Sequence, residues 1–204
     1  MTSDLRPQSH FAEETELARP WAPHRRRAYV ALTAITGFAF SIAVVGVGTG
    51  LLPPSFTVDV AANLAFGLPV IALPLVYFWT GRGEQRSRLN RAAELTMIYL
   101  PYTAGSQLGY ETIFLIGHPL DWWTPTTDPG WKWLWWQYGL ADTRYTSGNA
   151  WIFGLELVGV ITGVMLFIVW LRLMRTDLPI ESRIRCLWLG FTGCAMLISS
   201  TGVY

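Results

Sequence analysis

Two apolar stretches decide the fold of this chain, AAELTMIYLPYTAGSQLGYETIFLIG at residues 92–117 and NAWIFGLELVGVITGVMLFIVWL at residues 149–171. Each is long enough to cross the hydrocarbon core of a bilayer as a helix. Apart from Glu94 at the start of the first, each carries one carboxylate inside its apolar run, Glu111 in the first and Glu156 in the second. Because an intramembrane acid is costly and by default functional, this pair is the candidate site.

The composition of the whole chain indicates a membrane protein. Of its 204 residues 51% are hydrophobic and only 14% are charged, which is too few charges to cover a soluble domain of this size. A formal net charge of +1, with basic residues in short clusters, does not favour nucleic-acid binding. The expected partners are therefore the bilayer and lipid-like molecules.

Five apolar runs predict an all-α, polytopic membrane helix bundle with about five transmembrane helices. The predicted spans cover residues 28–52, 58–80, 92–117, 149–171 and 182–204. Pro69 and Pro74 lie inside the second span, and the carbonyl groups that they free must find partners in neighbouring helices. Residues 1–27 are predicted to be a mobile cytoplasmic tail without a removed signal peptide, and residues 28–204 form the transmembrane domain.

Arginine clusters orient the predicted bundle. They precede the first span, join the second span to the third, and join the fourth span to the fifth, so all three lie on one side if there are five spans. The amino terminus is therefore predicted to be cytoplasmic. The chain then stops on the far side at Tyr204, which leaves open whether a further helix follows. Fourteen of the 15 basic residues are Arg, which favours a bacterial cell membrane over the endoplasmic reticulum.

The two intramembrane carboxylates are predicted to lie at one depth. Glu111 is six residues before Gly117 and Glu156 is seven after Asn149. Both therefore lie about 9 to 11 Å below the outer end of the hydrocarbon. Two acids that face each other favour a site at which one carboxyl donates a proton. The alternative is that each is a hydrogen-bonded carboxyl that holds helices together.

Further polar and small residues share the faces of these acids. Gln107 and Thr103 continue a polar stripe from Glu111 at four-residue spacing. Gly159 and Gly163 lie on nearly the same face as Glu156 and leave space for a ligand or for a close helix.

Other polar and small residues have simpler interpretations. Glu94 and Asp59 lie at span ends and are expected to be solvated flanks. The glycines within residues 46–50, and the pair Gly105 and Gly109, are expected to be packing faces.

No metal, cofactor or disulfide site is predicted. Cys186 and Cys194 lie eight residues apart on one predicted helix, about 12 Å along its axis, so they cannot bridge each other. His118 precedes a proline and is expected to be a loop residue, and one histidine makes no metal site.

The loop between the third and fourth spans is rich in tryptophan. One interpretation is an aromatic belt at the level of the lipid headgroups. The other is a lid, in which residues 131–140 form a short interfacial helix that closes the outer mouth of a cavity. The tryptophans concerned are Trp122, Trp123, Trp131, Trp133, Trp135 and Trp136.

The segment WQYGLADTRY at residues 136–145, followed by Glu156, resembles the signature of the emopamil-binding protein family, also called the EXPERA domain. In that signature an essential Glu follows an Asp by fourteen residues, as Glu156 follows Asp142. The preceding family helix carries a His and a Glu four apart, which align with Gln107 and Glu111. The resemblance is best over residues 103–175 and extends over about 58–204.

The resemblance implies an intramolecular isomerase like the sterol Δ8-Δ7 isomerase, or a cyclase, acting on a steroid or isoprenoid lipid through carbocation chemistry. The implied catalytic residues are Glu111 and Glu156, with Gln107 orienting the substrate. The implied substrate-binding residues are Thr103, Tyr110, Trp136 and Gly159. Asp142, Arg144 and Tyr145 are expected to be structural, as an internal ion pair and cap at the entrance to the fourth span. Asn149 and Ser147 are expected to help start the helix there.

The alternative class is a non-catalytic member of that family, either a lipid- or sterol-binding protein or an accessory subunit of a membrane complex. Gln107 in place of the family's His favours this class, whereas the two matched acids favour the enzyme. The family's last helix also has no counterpart in this chain. A homodimer and a subunit of a larger complex are both compatible with the sequence.

Overall fold

The computed structural model describes residues 23–82, 88–124, 130–175 and 177–202. Within these ranges every regular element is helical, as predicted. The long helices are α1 (Pro23–Gly48), α2 (Phe56–Thr80), α3 (Arg88–Ser106), α6 (Ala150–Leu173) and α7 (Ile180–Gly202). Two short helices, α4 (Thr112–Gly117) and α5 (Trp133–Ala141), lie between α3 and α6.

Three helices of the described chain are long and apolar enough to cross a membrane. They are Arg25–Gly48 within α1, Phe56–Thr80 and Ala150–Leu173. Helix α1 begins at Pro23, inside the stretch that the sequence assigns to the tail, and residues 1–22 lie outside the described part. The helical run that carries Glu111 extends to Gly117, as predicted.

Helix α6 is the centre of the site-bearing half of the bundle, because it packs against both α3 and α7. Leu166 and Val169 of α6 form a core with Met97 and Ala104 of α3 and with Cys186 of α7. Helices α1 and α2 pack against each other and touch α3 more lightly. A side chain on the inner face of α6 therefore has two partner helices.

Helix α2 contains Pro69 and Pro74, and one of the carbonyl groups that they free finds its expected partner on α3. Pro74 has no N–H, so the carbonyl of Val70 lacks its helical donor. The Tyr99 hydroxyl donates to that oxygen at 2.7 Å. One turn deeper, the Tyr102 hydroxyl donates to the carbonyl oxygen of Phe66 at 2.6 Å. The carbonyl that Pro69 frees is that of Ala65, not that of Phe66. The prediction that a neighbouring helix satisfies the freed groups is therefore confirmed for Val70.

The prediction that Glu94 is a solvated flank was wrong. Its carboxylate and the Arg25 guanidinium are both 0% exposed, and Nε and Nη2 of Arg25 donate to its two oxygens at 2.7 and 2.8 Å. The Tyr29 hydroxyl adds a third bond at 2.9 Å, and the guanidinium lies 5.4 Å from the ring centre of Tyr77. Arg25 and Glu94 satisfy each other's charge, so neither needs water. Asp59 is partly buried, unlike a fully solvated flank.

The predicted glycine packing faces divide into two kinds. A Cβ atom on Gly46 would lie 2.6 Å from Cδ1 of Leu52, so close packing is confirmed there. A Cβ atom on Gly105 or on Gly109 would meet nothing within 4 Å. The packing interpretation was therefore wrong for this pair, which faces open space.

Candidate functional site

A π-helical turn, Gln107–Glu111, connects α3 to α4 and carries three of the predicted site residues, Gln107, Tyr110 and Glu111. Such turns occur mostly as single insertions in α-helices and frequently at functional sites. Here the Trp135 indole N–H donates to the carbonyl oxygen of Tyr110 at 3.0 Å, which ties the turn to α5. The apolar sequence around Gln107 contains no residue that marks such a turn, and it was not predicted.

Helix α6 positions Glu156 two turns from its start. As expected, Asn149 caps the helix, and its side chain accepts a backbone hydrogen bond from the first turn at 2.9 Å. Gly159 and Gly163 let α3 come close, because a Cβ atom on Gly163 would lie 2.9 Å from Cβ of Gln107. A Cβ atom on Gly159 would lie 2.5 Å from Oε1 of Gln107. The space beside Glu156 is thus partly filled by the Gln107 side chain.

The structure brings the carboxyl groups of Glu111 and Glu156 together as hydrogen-bond partners. Glu156 is buried, and the Tyr145 hydroxyl donates a hydrogen bond to its Oε1 atom. A hydrogen bond between two carboxyl groups requires that one of them carries a proton, because an ionised carboxylate only accepts. The pair therefore combines an acid that can give a proton with a base that can take one.

A cavity of about 260 Å³ opens beside this pair, among the π turn, α6 and α7, and α5 adds to its wall. None of the described residues that line it is basic. Its volume lies just below the range of about 300 to 1,000 Å³ of sites that bury a drug-sized ligand. The cavity is therefore small for a whole steroid. The lining residues are Gln107, Glu111, Tyr138, Tyr145, Leu155, Glu156, Gly159, Leu197 and Ser200.

The tryptophan-rich loop packs against the helical run that precedes it. Trp123 and Trp133 are buried in the protein, and the Trp123 indole donates to the carbonyl oxygen of Phe114 at 3.0 Å. The aromatic-belt interpretation was therefore wrong for these two residues. The predicted short helix is present as α5, and its Tyr138 lines the cavity.

We call the space beside Glu111 and Glu156 the carboxyl cavity. Three of the four predicted substrate-binding residues lie outside it. Thr103 and Trp136 are partly buried but do not line it. Tyr110 lines a second cavity on the opposite side of the π turn. Gly159 is the predicted binding residue that the structure places at the carboxyl pair.

The three residues predicted to be structural at the entrance to the fourth span have two different roles. Arg144 donates through Nε and Nη2 to Asp142 at 2.9 and 2.6 Å, and its backbone N–H donates to Oδ1 at 3.0 Å. These bonds hold the pKa of Asp142 below its usual value. The expected ion pair is confirmed. Tyr145, which the sequence assigned to the same structural group, instead places its hydroxyl on Glu156.

Sequence reasoning missed Tyr138 and the contribution of α7. Tyr138 lies within the quoted signature, and its ring meets that of Tyr145 edge-on at 4.7 Å, so the signature itself was the available signal. Leu197 and Ser200 lie three apart on one face of α7. Their spacing is compatible with any buried helix face, so no signal marked them.

Comparison of the chain with protein-family models, with curated proteins and with solved structures finds no match. In the described residues, no three His, Cys, Asp or Glu side chains are grouped so that they could hold a metal ion.

Proposed function

We propose that this chain is a membrane-embedded isomerase or cyclase that acts on a steroid or isoprenoid lipid through acid/base carbocation chemistry. The observation that carries the proposal is the hydrogen-bonded pair Glu111 and Glu156 on the wall of a cavity inside an apolar helix bundle. The protonated carboxyl gives its proton to an alkene carbon, and a cation forms at the adjacent carbon. The ionised carboxylate then takes a proton from a neighbouring carbon, so that the double bond moves.

The groups around the pair suit this chemistry. The rings of Tyr138 and Tyr145 line the cavity, and aromatic faces attract a cation, as does a carboxylate in a site of low dielectric constant. Gln107 does not transfer protons and instead orients the substrate from its position against Gly159. The resemblance of residues 136–145 to the emopamil-binding protein signature supports the same class of reaction.

The proposal includes a five-span topology with a cytoplasmic amino terminus. Beyond the three helices that qualify by length and apolarity, the helical run that ends at Gly117 and helix α7 also cross the bilayer. The exposed arginines on α1, after α2 and around the α6–α7 turn then face the cytoplasm. We further propose a bacterial cell membrane as the location.

The second candidate is a non-catalytic lipid-binding protein or an accessory subunit. Two observations favour it, the volume of about 260 Å³, which is small for a whole sterol, and Gln107 at the position of the family's histidine. In that case the carboxyl pair holds the cationic or hydroxylated end of a lipid, or a polar group of a partner helix.

Product formation and amine binding separate the two candidates. Membranes that contain the wild-type protein are incubated with Δ8-sterols or with linear isoprenoid epoxides, and the products are compared with those of Glu156→Gln. We expect product from the wild type and a loss of at least about 100-fold in the variant, because general acid–base catalysis contributes that much. Glu181→Gln, which changes an exposed acid at the start of α7, is the matched control.

Identical product profiles for wild type and Glu156→Gln contradict the proposed enzymatic activity. A cationic amphiphile that binds the wild type but not the Glu111→Gln, Glu156→Gln double variant, without any product, favours the binding protein.

A further inference from the structure

A second cavity, of about 220 Å³, lies on the other side of the π turn, among α1, α2, α3 and α5. Its wall is mainly apolar and aromatic and includes Phe40 of α1, Phe66 of α2 and Trp135 of α5. The carboxyl cavity, by contrast, contains two acids, an amide and two tyrosines. The two spaces thus differ in chemistry, although one turn of helix forms a wall of both.

Two glycines keep the apolar cavity open. Gly105 and Gly109 line it four residues apart, and a Cβ atom on either would meet nothing within 4 Å. Both lie in helical backbone with no positive φ, so neither turn geometry nor close packing requires glycine there. Glycine also costs helix stability relative to alanine. What the two glycines supply is the space itself.

One pair of rings lies between the two cavities. Tyr110 lines the apolar cavity, and its ring meets that of Tyr138, which lines the carboxyl cavity, at a centroid distance of 5.9 Å. The Tyr110 ring also stacks on Trp135 at 5.3 Å, and its hydroxyl donates to the carbonyl oxygen of Leu134 at 3.1 Å. The Tyr110 ring thus contacts wall residues of both cavities, and we infer that its rotation joins the two spaces.

We propose that the apolar cavity binds the hydrocarbon body of the same lipid whose reacting carbon lies at Glu111 and Glu156. Neither cavity alone reaches the volume of about 300 Å³ at which drug-sized ligands begin to fit, whereas the two together exceed it. Their division into a polar and an apolar part matches a molecule with one reactive end and a long apolar body. This inference rests on the proposed function and adds the shape of its substrate.

Photolabelling with an alkyl amine tests the inference in nanodiscs. The probe is a decyl dimethylamine with a diazirine at the end of the alkyl chain. Its ammonium group is expected to bind the carboxyl pair, and the diazirine labels the residues next to the far end of the chain. We expect labels on Phe40, Val44 and Phe66 of the wild type. Labels confined to lipid-facing residues of α6 such as Leu157 overturn the inference. This map needs no substitution and does not depend on the folding of a variant.

Filling the apolar cavity gives a second, independent readout. We expect Gly109→Leu to weaken binding of the decyl amine by about tenfold or more, because an overfilled site must displace packed atoms. Binding of butyl dimethylamine, which reaches only the carboxyl cavity, should stay within about twofold of wild type. Gly37→Leu adds the same side chain at an equally open helical glycine outside both cavities and should change neither affinity. Equal effects of the two Leu variants on the decyl amine overturn the inference.

Failure of the proposed function gives a different result. If both amines bind the Glu111→Gln, Glu156→Gln double variant as well as the wild type, the carboxyl pair is not a ligand site and both proposals fail. If amine binding requires the carboxyl pair but the diazirine labels residues outside the apolar cavity, only the inference about the apolar cavity fails.

Discussion

Glu94 and Glu156 are both buried in the helix bundle, and each accepts a hydrogen bond from a tyrosine hydroxyl, Tyr29 in the first case and Tyr145 in the second. They differ in their second partner. Glu94 pairs with the guanidinium of Arg25, whereas Glu156 pairs with the carboxyl of Glu111. Glu94 is fully enclosed, whereas Glu156 lines a cavity.

The second partner decides what a buried acid can do. A carboxylate that faces a guanidinium has its charge compensated and no proton to give, so it joins the helices that carry the two groups. A carboxyl that faces another carboxyl must share a proton with it, which creates an acid and a base at one place. This difference supports the proposal that Arg25 and Glu94 stabilise the fold and that Glu111 and Glu156 carry out the chemistry.

The largest effect on stability is expected for Glu94→Gln. The substitution leaves the Arg25 guanidinium buried against a neutral amide, and breaking such a pair costs about 3 to 5 kcal/mol. Thermal unfolding in detergent micelles measures the loss. Arg26→Leu, which changes an exposed neighbour, is the control. The double variant Arg25→Leu, Glu94→Leu should recover most of the lost stability. A Glu94→Gln protein as stable as wild type would contradict the structural role of the ion pair.

The two tyrosines provide a matched pair of smaller changes. Tyr29→Phe should lower the free energy of unfolding by about 1.5 to 3 kcal/mol, because it removes a hydrogen bond to a charged group. Tyr145→Phe should cost about 1 kcal/mol, because Glu156 keeps its bond to Glu111. The same Tyr145 variant should weaken amine binding, whereas Tyr29→Phe should not. Equal effects of the two variants on binding would contradict the division of roles.

Helix geometry explains which part of the site could be predicted. The rise per residue is constant, and a hairpin returns the chain through the same depth, so the positions of Glu111 and Glu156 in their apolar runs predicted that they meet. The role of Asn149 was predictable for a different reason, since an asparagine side chain suits the N-cap position just before a helix. The five-span topology and the family resemblance stay predictions.

The features that sequence missed depend on packing between distant segments. Arg25 and Glu94 are 69 residues apart, and each looks like an ordinary charged flank until α1 and α3 are placed side by side. The rotation of α7 about its axis, which brings Ser200 to the cavity, follows from its contacts with α6 rather than from its own residues. The π turn at Gln107–Glu111 likewise has no residue signature.

A change at the carboxyl pair should affect stability less than either change at the ion pair. We expect Glu156→Gln to alter the free energy of unfolding by no more than about 1 kcal/mol, because the amide can still bond to Glu111 and to Tyr145. The variant should nevertheless lose amine binding and product formation. Thermal unfolding and amine titration on one sample measure both. A loss of stability as large as that of Glu94→Gln would show that the carboxyl pair is structural.

The smallest effect is expected at a third carboxylate, Asp142, which pairs with Arg144 at the surface with side chains 22% and 39% exposed. Asp142→Asn should cost about 1 kcal/mol or less at pH 7, because water and salt screen an exposed pair. The Arg144 bonds hold the pKa of Asp142 below its unfolded value of about 3.9. The stabilisation is therefore fully present above that pH and is lost as the pH falls through the lower, folded pKa.

Unfolding of wild type and Asp142→Asn should accordingly differ at pH 7 and converge below about pH 4, and 1 M salt at pH 7 should also reduce the difference. The cost of Glu94→Gln should be insensitive to salt, because its ion pair is enclosed. Both pairs have bidentate geometry, so burial is what separates them. Equal costs for Asp142→Asn and Glu94→Gln, or equal responses to salt, would mean that burial does not make the difference.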